Sequence, residues 1–355
     1  MNRDRDLVDP RIERASTIPS EWYFGADHLE REVDRVFSAT WQLAGRLDQL
    51  DGEGAYFTTT VGREPVIVVR GRDRTVRALS NVCRHRAGPV TQGEGQRLAF
   101  RCGYHGWSYG LDGALLATPD LDGVEGFRKE DHCLPSFRVE TWGPLVFVNL
   151  DLAAAPLAEF MGDIHERLGN RDLAPYRFVE RKEWTIECNW KVYVDNYLEG
   201  YHIPIVHPGL MAELDYANYR TETRDWYSIQ HSPIRKPKHL RVAAEGEEAQ
   251  YFRIFPSLML NVYPDNYSTN LILPLGPDRT LTIFDWFFTD PDAAETRKKL
   301  EDTVRFSDEI QIEDIGICEK VQKGLRSRTY RQGRYSPRRE NGVHHFHRLL
   351  AGAMK

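Results

Sequence analysis

The chain has 355 residues, 41% of them hydrophobic, and a formal net charge of −6. That length exceeds one minimal core and suits two modest domains. The acidic balance excludes a nucleic-acid footprint, and no run approaches the roughly 20 apolar residues of a membrane span.

The opening MNRDRDLVDP is charged at once, so no secretory leader is expected. EWYFGADHLEREVDRVFSATW spaces Leu29, Val33, Val36 and Phe37 as a helix does. From Tyr56 the pattern changes. YFTTTV, PVIVVR and TVRALS are short β-branched runs split by turns at 61–64 and 71–74, the pattern of antiparallel hairpins. LVFVNL closes this region near residue 150. A helix is predicted over 157–168. KEWTIECNW reads as a strand leading into a helix that runs through Tyr201 and stops at Pro204. Strands are expected over 250–290 and a helix over 293–325. The fold class expected is α+β, with a β-rich domain at 41–149 inserted in a second domain formed by 1–40 and 150–355.

Five cysteines, at positions 83, 102, 133, 188 and 318, are too few and too scattered for a disulfide framework. They point to a reducing compartment, so a cytoplasmic location is expected. Two of them sit in paired motifs. CRHRAGPV offers Cys83 and His85, and CGYHGW offers Cys102 and His105. A structural Cys₂His₂ zinc site could use the same ligands, but zinc fingers pair cysteine with cysteine and histidine with histidine. One Cys and one His per loop suits a Rieske two-iron cluster, with both sulfurs on one iron and both imidazoles on the other. Coincidence of two ordinary turns is the plainer account. Glycines 88, 103 and 106 would let backbone N–H groups approach the sulfides.

A second constellation lies in NWKVYVDNYLEGYHIPIVH. On a continuous helix, Asp195, Glu199 and His202 share one narrow face. His207 can fold back from the following loop. Two imidazoles and a carboxylate make the facial triad of non-haem Fe(II), which leaves positions open for O₂. In EIQIEDIGICEKVQKG, Asp314 sits on the wheel among Ile310, Ile317, Cys318 and Val321, whereas Glu309, Glu313 and Glu319 fall elsewhere. A buried, unpaired carboxylate is expensive, and a metal or a cation would relieve the cost. Read singly, each has a plainer account: a core histidine, or a salt-bridged acid.

With both sets in view, the chain resembles the α subunit of a Rieske non-haem iron oxygenase over almost its full length. The resemblance runs from CRHRAGPV and FRCGYHGW through NWKVYVDNYLEGYHIPIVH to IEDIGICEKVQKG, GRYSP and VHHFHRLL. It implies a Rieske [2Fe-2S] domain inserted in a catalytic domain with a long antiparallel sheet and flanking helices. It assigns Cys83, His85, Cys102 and His105 to the cluster and His202, His207 and Asp314 to a mononuclear iron. It also implies a ring-shaped homotrimer in which one protomer's cluster serves its neighbour's iron, with Glu199 bridging His105 of the partner subunit to His202. Asp195 becomes a supporting candidate, or one half of a buried salt bridge. The terminal histidines 344, 345 and 347 are expected to pack or to contact another subunit, not to ligate.

The family uses O₂ and an external electron donor, an NAD(P)H-dependent reductase or ferredoxin. The chain itself has no C-x₄-C-x₂-C motif and no dinucleotide fingerprint. Glu199, where ring-hydroxylating members mostly have Asp, resembles the branch oxidising choline, betaine or carnitine. Many of that branch carry Cys where this chain has Gly200. The function expected is therefore a monooxygenase or N-demethylase of a quaternary or tertiary amine. An aromatic-ring hydroxylating dioxygenase is the alternative. A Rieske electron carrier with a degenerate second domain is a third, separable by iron count. Trp226, Tyr227, Tyr263, Trp286, Phe287 and Phe288 lie in regions that could line a pocket for a cation, although aromatics at strand spacing commonly belong to a core.

Overall fold

The computed structural model describes residues 7–169, 171–235, 248–263 and 266–355. The chain folds as two compact units, Val33–Phe160 and Met1–Glu32 with Met161–Lys355. Among the described residues no helix is long and apolar enough to cross a membrane.

The first unit is mainly β. The β-branched runs form strands Ala55–Val61, Glu64–Arg70 and Val76–Ser80, which pair antiparallel. They join Glu94–Gln96 at one edge and Ser136–Trp142, Leu145–Asn149 and Gln42–Arg46 at the other, making a seven-stranded sheet. Val66 to Val69 are fully buried, so both faces of that strand are covered. A three-stranded sheet of Phe100–Arg101, Ser108–Tyr109 and Leu115–Ala117 carries the second Cys/His loop.

The second unit is built on a seven-stranded antiparallel sheet. Its spatial order is Arg177–Ile186, Arg279–Phe288, Asn266–Gly276, Leu258–Val262, Glu248–Ile254, Tyr227–Pro233 and Arg220–Thr223. The helix Ala294–Leu325 runs for 32 residues. Its buried stripe departs from the sequence expectation at Val321, which is 43% exposed, while Gln311, Cys318 and Gln322 are buried. The polar members of this stripe find partners. Gln311 accepts from Tyr193 and donates to Thr282, and Gln322 accepts from Asn189 N–H and donates to Tyr23 O.

The helix predicted through Tyr201 is shorter. Asn189 caps it, with its side chain accepting from Lys191 N–H, and it spans Trp190–Tyr197. Pro204 does not stop it. Proline sits in the first turn of a separate short helix, Ile203–Val206, where its missing N–H costs nothing.

The C-terminal helix Asn341–Ala353 packs its histidines, as the sequence reading expected. His347 is fully buried, and His344 meets the Asp9 carbonyl at 2.7 Å. Burial pushes His345 down to about 3, helped by the charges of Arg253 and Arg348. Unfolded, this imidazole titrates near 6.5. As pH falls from about 6.5 towards 3, the unfolded chain takes up a proton that the folded chain refuses, so stability declines. His345→Leu should flatten that part of a plot of melting temperature against pH; an unchanged slope would remove His345 from the account.

Candidate active site

In the first unit Cys83 and Cys102 are buried and close enough to interact, while His85 and His105 are exposed with ring centroids 4.6 Å apart. Tight turns aim the loops: Ala87 N–H donates to Cys83 O, and Gly106 N–H to Cys102 O. Gly106 has φ +77°, which a side chain would strain. Burial raises the Cys102 thiol above its ordinary value, opposed by N–H groups of Tyr104 and His105 that point at the sulfur. The Tyr109 hydroxyl lies 3.3 Å from the Cys83 sulfur. A Cβ on Gly88 would stand 3.4 Å from the Cys102 sulfur, whereas one on Gly103 meets nothing within 4 Å. Two inner sulfurs, two outer imidazoles and convergent N–H donors fit a Rieske cluster.

In the second unit His202, His207 and Asp314 converge, each offering one ligand atom within 4.8 Å of the others. Asp314 Oδ1 is 3.0 Å from His207 Nε2 and 3.7 Å from His202 Nε2. Each imidazole is turned by a glutamate. His202 Nδ1–H donates to Glu199 at 2.7 Å, and His207 Nδ1–H to Glu313 at 2.6 Å. Both Nε2 atoms therefore face Asp314, the orientation that metal-bound histidines receive from carboxylate partners. Asn196 donates to Asp314 Oδ1 at 2.6 Å. Burial disfavours the imidazolium of His207, but hydrogen bonds with Asp314 and Glu313 outweigh it and raise its pKa. Two imidazoles and one carboxylate, with a cavity beside them, fit the facial triad of non-haem iron.

Glu199 does a second job. Its other oxygen accepts from the backbone N–H groups of Tyr201 and His202, the latter at 3.0 Å. It thus closes the irregular turn between the two helices, and it reaches His202 through that turn.

Asp195 goes elsewhere. The Tyr23 hydroxyl donates to it at 2.6 Å and His347 Nε2 lies 3.0 Å away, with Tyr335 2.7 Å from His347 Nδ1. The shared face expected for Asp195, Glu199 and His202 required a helix that ends instead at Tyr197. Glu313 is the converse case. The wheel set it apart from Asp314, but its side chain reaches His207 from the flank of the helix. Glu313→Gln should weaken iron binding roughly 10- to 100-fold, the range for a carboxylate that orients a ligand histidine. Competition with a chelator measures this, and equal iron retention would refute the role.

The cavity beside the triad measures about 170 Å³. An apolar cavity of about 150 Å³ takes benzene, so the space suits a small molecule. One register line of the sheet builds its floor: Gln230, Tyr251, Asn261, Ser268 and Trp286 lie opposite one another across five strands and point the same way. Tyr193, Tyr197, Tyr219 and Tyr263 add phenols, and Leu210, Phe306 and Ile310 add apolar surface. Burial raises the pKa of every one of these phenols above its ordinary value. Of the six aromatics singled out in the sequence, Tyr263 and Trp286 line the cavity and the other four do not. Phe287 alternates to the opposite face from Trp286.

Comparison with known proteins agrees with this geometry. Residues 40–135 match the Rieske [2Fe-2S] domain, and residues 173–355 match the ring hydroxylating alpha subunit (catalytic domain). The choline monooxygenase, chloroplastic, of Arabidopsis thaliana is 37% identical over 98% of this chain and 85% of its own length. The carnitine monooxygenase oxygenase subunit of Escherichia coli K12 is 31% identical over 97% of this chain and 95% of its own. Among solved structures, the quaternary ammonium Rieske monooxygenase CntA in complex with L-carnitine superposes with a TM-score of 0.84. It is 29% identical and covers 96% of each chain. A naphthalene 1,2-dioxygenase at 18% identity and TM-score 0.81 shares the fold. With a [2Fe-2S] unit, a mononuclear iron unit and dependence on electrons from a reductase partner, the chain belongs to the Rieske non-haem iron oxygenases as an alpha (oxygenase) subunit.

Proposed function

We propose that this oxygenase subunit acts on a quaternary or tertiary amine, as a monooxygenase or N-demethylase. The observation that carries the reading is the cavity wall. Its charged groups, among the described residues, are Glu199 and Asp314 with the triad histidines, and the rest is phenol, indole, amide, hydroxyl and hydrocarbon. Neutral aromatic rings and carboxylates attract a permanent cation and give it no competing positive charge. The amine-oxidising relatives support the same reading.

In this proposal Cys83, His85, Cys102 and His105 hold the cluster, and His202, His207 and Asp314 hold the iron. Iron there supplies the activation of O₂ and the insertion of one oxygen atom into a C–H bond. The chain's own residues prepare the site. Glu199 and Glu313 keep a proton on each Nδ1, so each Nε2 presents a lone pair. Asn196 fixes one oxygen of Asp314. Glu199 also bridges to His105 of the partner subunit in a homotrimer, and Asp195 is a positioning residue that anchors the preceding helix through Tyr23 and His347. An NAD(P)H-dependent reductase or ferredoxin supplies electrons. Five cysteines without a disulfide support a cytoplasmic setting.

A single turnover tests the reading. Iron-replete protein is reduced and given O₂ with a panel of methylated amines and aromatic acids, and products are identified by mass. Formaldehyde or an amine-derived aldehyde is expected; a hydroxylated ring would overturn the amine assignment and leave the iron chemistry standing.

A further inference from the structure

Gly200 lies between the glutamate that orients His202 and the exposed Tyr201. Its φ is outside the left-handed region, so the backbone does not demand glycine there. Space does. A Cβ at 200 would stand 2.8 Å from both Cε1 and Cζ of Tyr219 and 3.2 Å from its Cδ1. Contacts under 3.0 Å force something to move.

The Tyr219 ring has little freedom to move. Its hydroxyl donates to Gln230 Oε1 at 2.6 Å, and Gln230 is itself held, its Nε2 donating to Tyr197 O at 2.7 Å. The Tyr219 carbonyl accepts from Arg339 at 3.3 Å. The ring is therefore held at its hydroxyl and its backbone at the carbonyl, it is close enough to Glu199 to feel its charge, and it forms part of the cavity wall.

We propose that Gly200 is a specificity-determining position: its missing side chain lets Tyr219 close the Glu199 side of the cavity, where that ring receives the N-methyl head of the amine. The second half of this statement rests on the amine reading; the first does not. Gly200 acts through Tyr219, as a positioning residue. A side chain at 200 would push the ring off its seat or break its bond to Gln230, and either changes the wall that the substrate meets.

A double-mutant cycle tests it, on the full iron-loaded chain with choline and tetramethylammonium as probes. Gly200→Ala should weaken choline binding by calorimetry roughly tenfold, a typical cost of overpacking a fixed site. Product yield in a single turnover at saturating choline should stay within about twofold. In a Tyr219→Ala background, Gly200→Ala should change binding less than about twofold, because the ring it strikes is gone. Tyr219→Phe keeps the ring but frees it from Gln230, so the Gly200→Ala penalty should shrink there too; this variant carries the test if the alanine one folds poorly. Equal penalties in all backgrounds would overturn the proposal. So would lost yield with intact binding, which would mean that Gly200 acts through Glu199. If the wild-type chain binds neither ammonium and instead turns over an aromatic acid, the amine reading fails. The same cycle read on that acid then decides the coupling of Gly200 to Tyr219.

Discussion

Asp314→Ala will lower the iron content from about three to about two per chain, by the ligand count of the two sites. The remaining two irons belong to the cluster, whose proposed ligands all lie in Val33–Phe160, a unit that contains none of the triad. Its visible absorbance should therefore be unchanged. The reason is local. Among the described residues, Asp314 is the one carboxylate that both imidazole Nε2 atoms face, at 3.0 and 3.7 Å. Alanine leaves two neutral donors to hold a divalent cation, and Glu313 cannot substitute while its oxygen is engaged by His207 Nδ1. Asp314→Asn is the sharper variant, because it keeps the shape and removes the charge. Product formation should vanish in both. Three irons per chain in either variant would place the mononuclear site elsewhere.

Glu199→Gln gives the second large effect, of a different kind. Glu199 orients His202 as Glu313 orients His207, so iron binding weakens here too, and with iron supplied in excess both metals should stay bound. Multiple turnover should fall by roughly 100-fold, the upper end of the range for a carboxylate behind a ligand histidine. The amide can still accept one hydrogen bond, but it loses the charge. It also loses the two-sided acceptance by which one oxygen holds His202 Nδ1–H and the other the turn N–H groups. Reoxidation of the reduced cluster by O₂ with substrate present reads the defect directly, because it requires electrons to reach the other metal. Undiminished reoxidation would end the bridging role. A fall in melting temperature without slower reoxidation would show that Glu199 serves only the turn.

Much of this was visible in the sequence, and the failures have physical causes. That Cys83, His85, Cys102 and His105 form one paired set was legible because each loop supplies one Cys and one His at matching spacing. His202 and His207 were legible from the same kind of local pattern. Asp314 stood out as an acid on an apolar stripe. Glu313 was missed because a helical wheel describes Cβ directions, and a glutamate reaches well beyond its own direction. Asp195 was grouped with Glu199 because the pattern gives no reason for the helix to end at Tyr197; the end comes from Glu199 satisfying N–H groups that a continued helix would have used. The cavity phenols were invisible singly. Tyr197, Tyr219, Tyr251 and Tyr263 come from separate segments, and only strand register and folding of the intervening chain bring them to one wall.

The buried pair of Glu32 and Lys191 sets an order on synthesis. Glu32 and Lys191 are both fully buried, 2.7 Å apart, and Trp190 donates to the same carboxylate. A buried charge left without its partner costs about 3–5 kcal/mol. Yet 159 residues separate the two. At the pace of a ribosome, roughly 5–20 residues per second, Glu32 emerges roughly 10–30 seconds before Lys191 exists. The N-terminal segment must wait in water through that interval, while the β-rich unit between them can complete its own core. Once folded, that unit removes most of the loose chain between the two, and the entropic cost of bringing Glu32 to Lys191 falls accordingly.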